Sequence, residues 1–282
     1  MNWSKAKNII LLLLLMINIF LLVTLISKHQ IYQGALQNVG EDVSRILAEY
    51  NIKLSPSLVD TTVLRRRPLI ISRAEKEEKL VSEGMLGAIN DMESPGGGIR
   101  RYTSDTGTAT WRAGATLTIT LSEGGPELKP GISSGAAVQY TLDYLLKAGL
   151  DVFAGDMSAE TVADTVTVNI AQRVGGYRVF NTGLTVRAST GGSNVISGLW
   201  AFGETRVSGD QYEQALSGLL IKFARNVREQ NIPCGKITAL TGGYIMRPER
   251  GGVCLYPVWR LETDFGERFI NAMNGEIMAV EQ

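Results

Sequence analysis

The scarce reactive side chains of this 282-residue chain are one histidine, His29, and two cysteines, Cys234 and Cys254. His29 lies just beyond a long apolar run, too close to its end to serve a Ser-His-Asp site on a distant domain. A zinc site would have to combine one histidine, two cysteines and carboxylates without the usual closely spaced Cys or His pairs. Cys234 and Cys254 fall near strand starts on either side of a hairpin, so they could form one disulfide; sequence separation does not fix the Cα distance. Asp60, Asp105, Asp143, Asp156 and Glu204 carry carboxylates, but no spacing marks two of them as the facing pair a glycosidase needs. Serines and lysines are too common to signal Ser-Lys catalysis. Trp111, Trp200 and Trp259 read as core or sheet residues rather than a sugar platform. The triplet Arg65-Arg66-Arg67, stopped by Pro68, reads first as a solvated face and second as a site for an anionic partner or wall polymer. Gly96-Gly97-Gly98 lacks the Gly-Lys-Ser/Thr of a phosphate loop and is a linker or hairpin turn. No catalytic, cofactor-binding or metal-ligating residue stands out, and the expectation is a protein without a cofactor that is not an enzyme.

The elements that would position these residues begin with the apolar run itself. From Ile9 to Ile26 there are 18 residues without a charge, interrupted only by Asn18 and Thr24. As a helix this spans roughly 27 Å, close to the ~30 Å of a hydrocarbon core. Lys5 and Lys7 precede it without an acid; Lys28 and His29 follow it, then Glu41 and Asp42. The positive-inside rule puts the amino-terminal tail in the cytoplasm and the rest outside. Leu25-Ile26-Ser27-Lys28-His29 offers no small-x-small cleavage pattern, which favours an uncleaved signal anchor over a signal peptide. Trp3, Lys5 and Lys7 suit a membrane interface, the indole at headgroup level and the lysines against anionic lipid. Asn18, Phe20 and Leu22 are the candidate contact residues of the span, because an amide in mid-membrane can bond a partner helix. Lipid-facing filler is the competing reading.

Twenty-eight basic and 28 acidic residues balance, so there is no basic excess to attract nucleic acid. A hydrophobic content of 44% with 31 glycines and 8 prolines suits folded β-rich domains. Leu36, Val39, Val43, Ile46, Leu47 and Tyr50 recur at helical spacing over 34–50, and 74–85 is a highly charged helix. Alternation between Ile99 and Leu121 predicts strands, and 136–148 predicts a helix with Gly149 as cap. Strands follow at 165–173, 177–187 and 194–202. Asp210 or Ser208 should cap a helix over 212–230 that turns Leu216, Leu219, Leu220, Phe223 and Val227 inward. Strands at 237–246, 252–263, 267–272 and 276–280 complete the chain. A helix followed by an antiparallel meander thus occurs twice, which suggests duplication. The expected class is α+β: a tail (1–8), a transmembrane helix (9–26), a membrane-proximal region (30–130), a middle helix-plus-meander domain (131–207) and a carboxy-terminal one (208–282).

Met1-Asn2-Trp3-Ser4-Lys5-Ala6-Lys7, the leucine run and Asn18-Ile19-Phe20-Leu21-Leu22 together resemble the start of the YycI family. At the other end, Tyr256-Pro257-Val258-Trp259-Arg260-Leu261, then Phe269-Ile270-Asn271-Ala272 and Asn274-Gly275-Glu276-Ile277, resemble the close of PepSY-like modules. Asn274-Gly275 would supply the positive φ angles of a tight turn, and Pro257 departs from the pattern, suggesting an edge strand or bulge. The resemblance implies small extracytoplasmic α+β domains and a membrane-anchored, non-enzymatic regulator of a two-component sensor histidine kinase in Gram-positive bacteria. Its partners would be the kinase, a YycH-like protein and membrane lipid, not nucleic acid. Two rivals from other classes are a cell-surface enzyme or inhibitor acting on wall material or peptidases, and an envelope or sporulation assembly module.

Overall fold

The computed structural model describes residues 13–22, 39–59, 66–129, 131–189, 194–249 and 251–279. They make a mixed α+β protein whose strands pair mainly antiparallel. The chain divides into two compact units, each discontinuous in sequence.

The first unit takes the described part of Met1–Val63 together with Ala215–Leu240 and Glu262–Gly266. Residues 13–22 are helical. No helix among the described residues is long and apolar enough to cross a membrane. Both ends of the expected 9–26 span lie outside the described residues, as do Trp3, Lys5, Lys7 and His29. Helix α1 (39–49) buries Val43 and Leu47 at the expected spacing. Strand β1 (Lys53–Leu54) runs parallel to the first residues of β12 (Lys236–Glu249), with Lys53 opposite Lys236.

Helix α4 (Leu216–Glu229) buries Leu216, Leu219, Leu220, Phe223, Ala224 and Val227, the apolar stripe read from spacing. It starts later than expected, and neither Asp210 nor Ser208 caps it; its N-cap is Ala215, with no side-chain bond. The residues ahead of it have other partners: the Glu213 N–H donates to Arg66 O at 3.1 Å, and the Gln214 N–H to Ala272 O at 2.8 Å. With the Glu213 carboxylate also bound to the Arg66 guanidinium, residues 213 and 214 are tied to other segments of the chain ahead of the helix.

The second unit comprises Leu64–Gln214, Thr241–Leu261 and Glu267–Gln282. Strands β3 (Asp91–Gly96), β4 (Ile99–Ser104), β5 (Gly107–Arg112) and β6 (Thr116–Leu121) form an antiparallel meander. The three glycines turn β3 into β4, Gly97 and Gly98 taking positive φ as the turn requires. Strand β10 (Asn194–Leu199) lies between β6 and β9 (Tyr177–Ser189), with Ile196 opposite both Ile119 and Val186. Strands β7 (Met157–Val162) and β8 (Thr165–Val174) extend from β9. Beyond β9 come β12, β13 (Gly252–Thr263), β2 (Leu69–Ser72) and β11 (Thr205–Val207). Strands β14 (Gly266–Asn271) and β15 (Ile277–Met278) continue from β13.

In β6, Leu117, Ile119 and Leu121 point inward and the threonines between them outward, so one face is core. Helices α2 (Glu75–Leu86) and α3 (Ser134–Lys147) cover that face with Val81, Met85, Leu86, Ala137 and Leu145. Glu75, Glu77 and Glu78 occupy the first turn of α2, where the helix dipole favours acids. Ser133 Oγ accepts from the Ala136 N–H to cap α3, and Gly149, at φ 85°, ends it as expected.

Pro257 lies inside the sheet rather than at an edge. Pairing of β13 with β2 stops at Leu255, and the Pro257 carbonyl accepts from Ala272 N–H just past β14. The missing N–H therefore falls where one neighbour strand gives way to the next. In the Asn274-Gly275 turn only Gly275 takes positive φ, at 76°. Asn274 instead uses its side chain, its Oδ1 accepting from Glu276 N–H at 3.0 Å.

Candidate functional site

Trp111 is the next-to-last residue of β5 and 2% exposed. Its Nε1–H donates to Ser82 Oγ at 2.9 Å, and that hydroxyl donates to the Glu78 carbonyl at 2.7 Å within α2. The indole also meets Phe202 edge-on, with ring centroids 5.0 Å apart. Phe202 belongs to a short segment fixed from two sides. Trp200 N–H donates to Ala115 O at 2.8 Å, while the buried Gln172 amide donates to Ala201 O and accepts from Ala201 N–H. A strand end, a helix and a clamped loop thereby leave a cavity of about 260 Å³ in the second unit, with Trp111, Trp200, Phe202, Ile71 and Val253 in its wall.

Charge enters this wall through two arginines and two glutamates. Arg73 bonds both Glu78 carboxylate oxygens and the Gly98 carbonyl. Glu78, its side chain 4% exposed, also accepts from Arg100 at 3.0 Å, and Arg100 pairs on its outer side with Glu75. A carboxylate so deeply buried is stable because two guanidinium groups bracket it. Burial, with the Glu78 charge, raises the pKa of the nearby Tyr102 phenol, keeping it neutral. Arg112 lines the same cavity and is exposed, and its guanidinium has no hydrogen-bond or ion-pair partner among the described residues. Glu249, also exposed, accepts from Tyr256 OH at 2.8 Å, a bond that raises the Tyr256 pKa. Burial pushes the Cys254 thiol up, with the Glu249 charge adding to it, so this cysteine is a poor nucleophile. Cys234 and Cys254 are each present as a thiol in the structure.

Arg65 lies outside the described residues, and the rest of the basic triplet is not a solvated face. Arg66 is buried: its guanidinium pairs with both oxygens of Glu213 at 2.9 Å and donates to Gly243 O at 2.8 Å. It packs over the rings of Tyr177 and Trp259. Arg67 stacks on Tyr212 at 4.0 Å. These cations are occupied within the fold and do not form an open anion site.

The three residues expected to make contacts within a membrane span, Asn18, Phe20 and Leu22, lie in helix 13–22. Asn18 donates one amide N–H to Leu14 O at 2.9 Å, inside its own helix. The nine apolar residues of this stretch, Leu13 to Leu22 apart from Asn18, are 49–70% exposed. Of the tryptophans singled out from sequence, Trp111 and Trp200 meet at the cavity, whereas Trp259 lies under Arg66. Sequence reasoning missed Arg73, Glu78, Arg112, Phe202 and Glu249 as wall residues. The available signal was the run Trp111-Arg112-Ala113-Gly114, a strand closing on small residues that leave room beside an aromatic ring.

No protein-family model matches the chain, and neither does any curated protein. A solved structure of an uncharacterised protein from Eubacterium rectale resembles it with a TM-score of 0.47 at 10% identity, covering 77% of this chain and 86% of the other. A likeness at that level carries no argument about function.

Proposed function

We propose that the chain is a membrane-anchored, non-enzymatic regulator of a two-component sensor histidine kinase, similar to the YycI family. Its amino-terminal helix would pack laterally against the kinase, and its extracytoplasmic units would associate with a YycH-like partner. The observation that carries this reading is the stretch 13–22, helical and apolar apart from Asn18, with its side chains exposed. An uncovered apolar surface of this kind calls for lipid or a partner helix. The uncharged run from Ile9 to Ile26 and the lysines ahead of it supply the length and the orientation. Asn18 keeps its carbonyl oxygen as an acceptor for a neighbouring helix while its amide bonds Leu14. Regulation by such packing reaches only as far as the helix binds one kinase state better than the other.

The test is a photo-crosslinking residue placed in turn at positions 18, 20 and 22 of the full chain in intact cells, followed by identification of what is captured. A sensor kinase captured from one face of the helix is the expected result. Recovery of other membrane helices and no kinase would overturn the proposal.

A further inference from the structure

We propose that the cavity walled by Trp111, Trp200 and Phe202 binds a free α-amino acid with a large apolar side chain. The interior suits an apolar body: three aromatic rings and the side chains of Ile71 and Val253 face it. The Trp111 indole N–H is already taken by Ser82, so this ring presents hydrocarbon rather than a donor. At about 260 Å³ the space falls just below the roughly 300 Å³ at which pockets for drug-sized ligands begin. That size favours a single amino acid over a lipid chain or an oligosaccharide.

The charges choose among small apolar ligands. The lining holds Arg73 and Arg112 against Glu78 and Glu249, so the wall carries no net formal charge to favour a simple anion or cation. Arg73 is neutralised by the buried Glu78, which leaves Arg112 and Glu249 as the charges that can meet a ligand. The Arg112 guanidinium has no partner of its own among the described residues and is free to take a carboxylate bidentately. Glu249, steadied by the Tyr256 hydroxyl, can take an ammonium. One cation and one anion beside an aromatic cavity complement a zwitterion carrying an apolar side chain. The inference does not depend on the membrane reading and survives its failure.

Isothermal titration and intrinsic tryptophan fluorescence of the full chain in detergent test it, with Trp111 and Trp200 as reporters. The probes are L-phenylalanine, L-leucine, glycine, 3-phenylpropionate and phenethylamine. Saturable binding of phenylalanine or leucine is expected, with glycine and both single-charge analogues weaker by about tenfold or more. Arg112→Gln and Glu249→Gln, both at exposed positions, should each weaken binding by about tenfold while leaving thermal unfolding unchanged. Three results would overturn the proposal: no saturable response to either apolar amino acid at millimolar concentration, a single-charge analogue or glycine binding as tightly as the zwitterion, or an unchanged affinity in Arg112→Gln.

Discussion

At Arg66 the guanidinium is held on all sides: two bonds to Glu213, one to Gly243 O, and an aromatic ring on each of Tyr177 and Trp259. Both side chains of the pair are at most 3% exposed. Even the glycine at 242 belongs to the arrangement, since a Cβ there would lie 2.8 Å from Arg66 Nη1. Desolvating two charges costs nearly as much as their attraction returns, so the pair is worth little compared with a well-packed apolar replacement. Losing one partner is another matter, because the survivor is left charged and dry. Arg66→Ala should therefore destabilise the protein by about 3–5 kcal/mol in urea unfolding of the detergent-solubilised chain. The double change Arg66→Met with Glu213→Leu should recover most of that loss. A single-variant cost within about 1 kcal/mol of zero would show that the pair is open to water.

Among the elements, α2 and α3 meet through the Tyr144 hydroxyl, which donates to the Met85 carbonyl at 2.9 Å. Burial raises this phenol from 10.0 to about 12. The sign follows from linkage: with the folded value above the unfolded one, the contribution is complete below pH 10 and lost as pH climbs through 12. Thermal unfolding should thus weaken between pH 10 and 12, and Tyr144→Phe should flatten that limb while costing about 1 kcal/mol at neutral pH. An unchanged limb in the variant would assign the alkaline loss elsewhere.

The elements were also the scale at which the sequence was most readable. The stripe on α4, the alternation in β6 and the glycine turn after β3 follow from local periodicity, and β13 spans Gly252–Thr263 as read. What escaped was long-range. Nothing near Tyr212 announces that Glu213 is claimed by an arginine 147 positions earlier, so the start of α4 was read too early. The parallel contacts of β12 with β1 and with β9 likewise join segments far apart in the chain. The cavity collects residues from β2, α2, β5, the 200–202 segment and the turn between β12 and β13, and no local pattern could assemble them.

For the molecule as a whole, the anchor reading makes its own demand. On that reading the full chain should stay with the membrane through high-salt and alkaline washing, since the hold it implies is apolar rather than ionic. A chain lacking residues 1–28 should be released by the same fractionation, and a tag at the carboxyl end should be open to protease from outside the cell. A full chain recovered in the soluble fraction would remove the basis for regulation through helix contacts.

The way the first unit is assembled also sets a timetable for its birth. Helix α1 leaves the ribosome before 64–214, whereas α4 and residues 262–266, which complete the same unit, are synthesised only after that stretch. Domains usually mature in the order they are translated; here α1 must wait until 64–214 and then α4 have been made. During that interval Val43 and Leu47 of α1 lack the later segments of their unit, an opening for a chaperone and a weak point for any nascent chain released before residue 215.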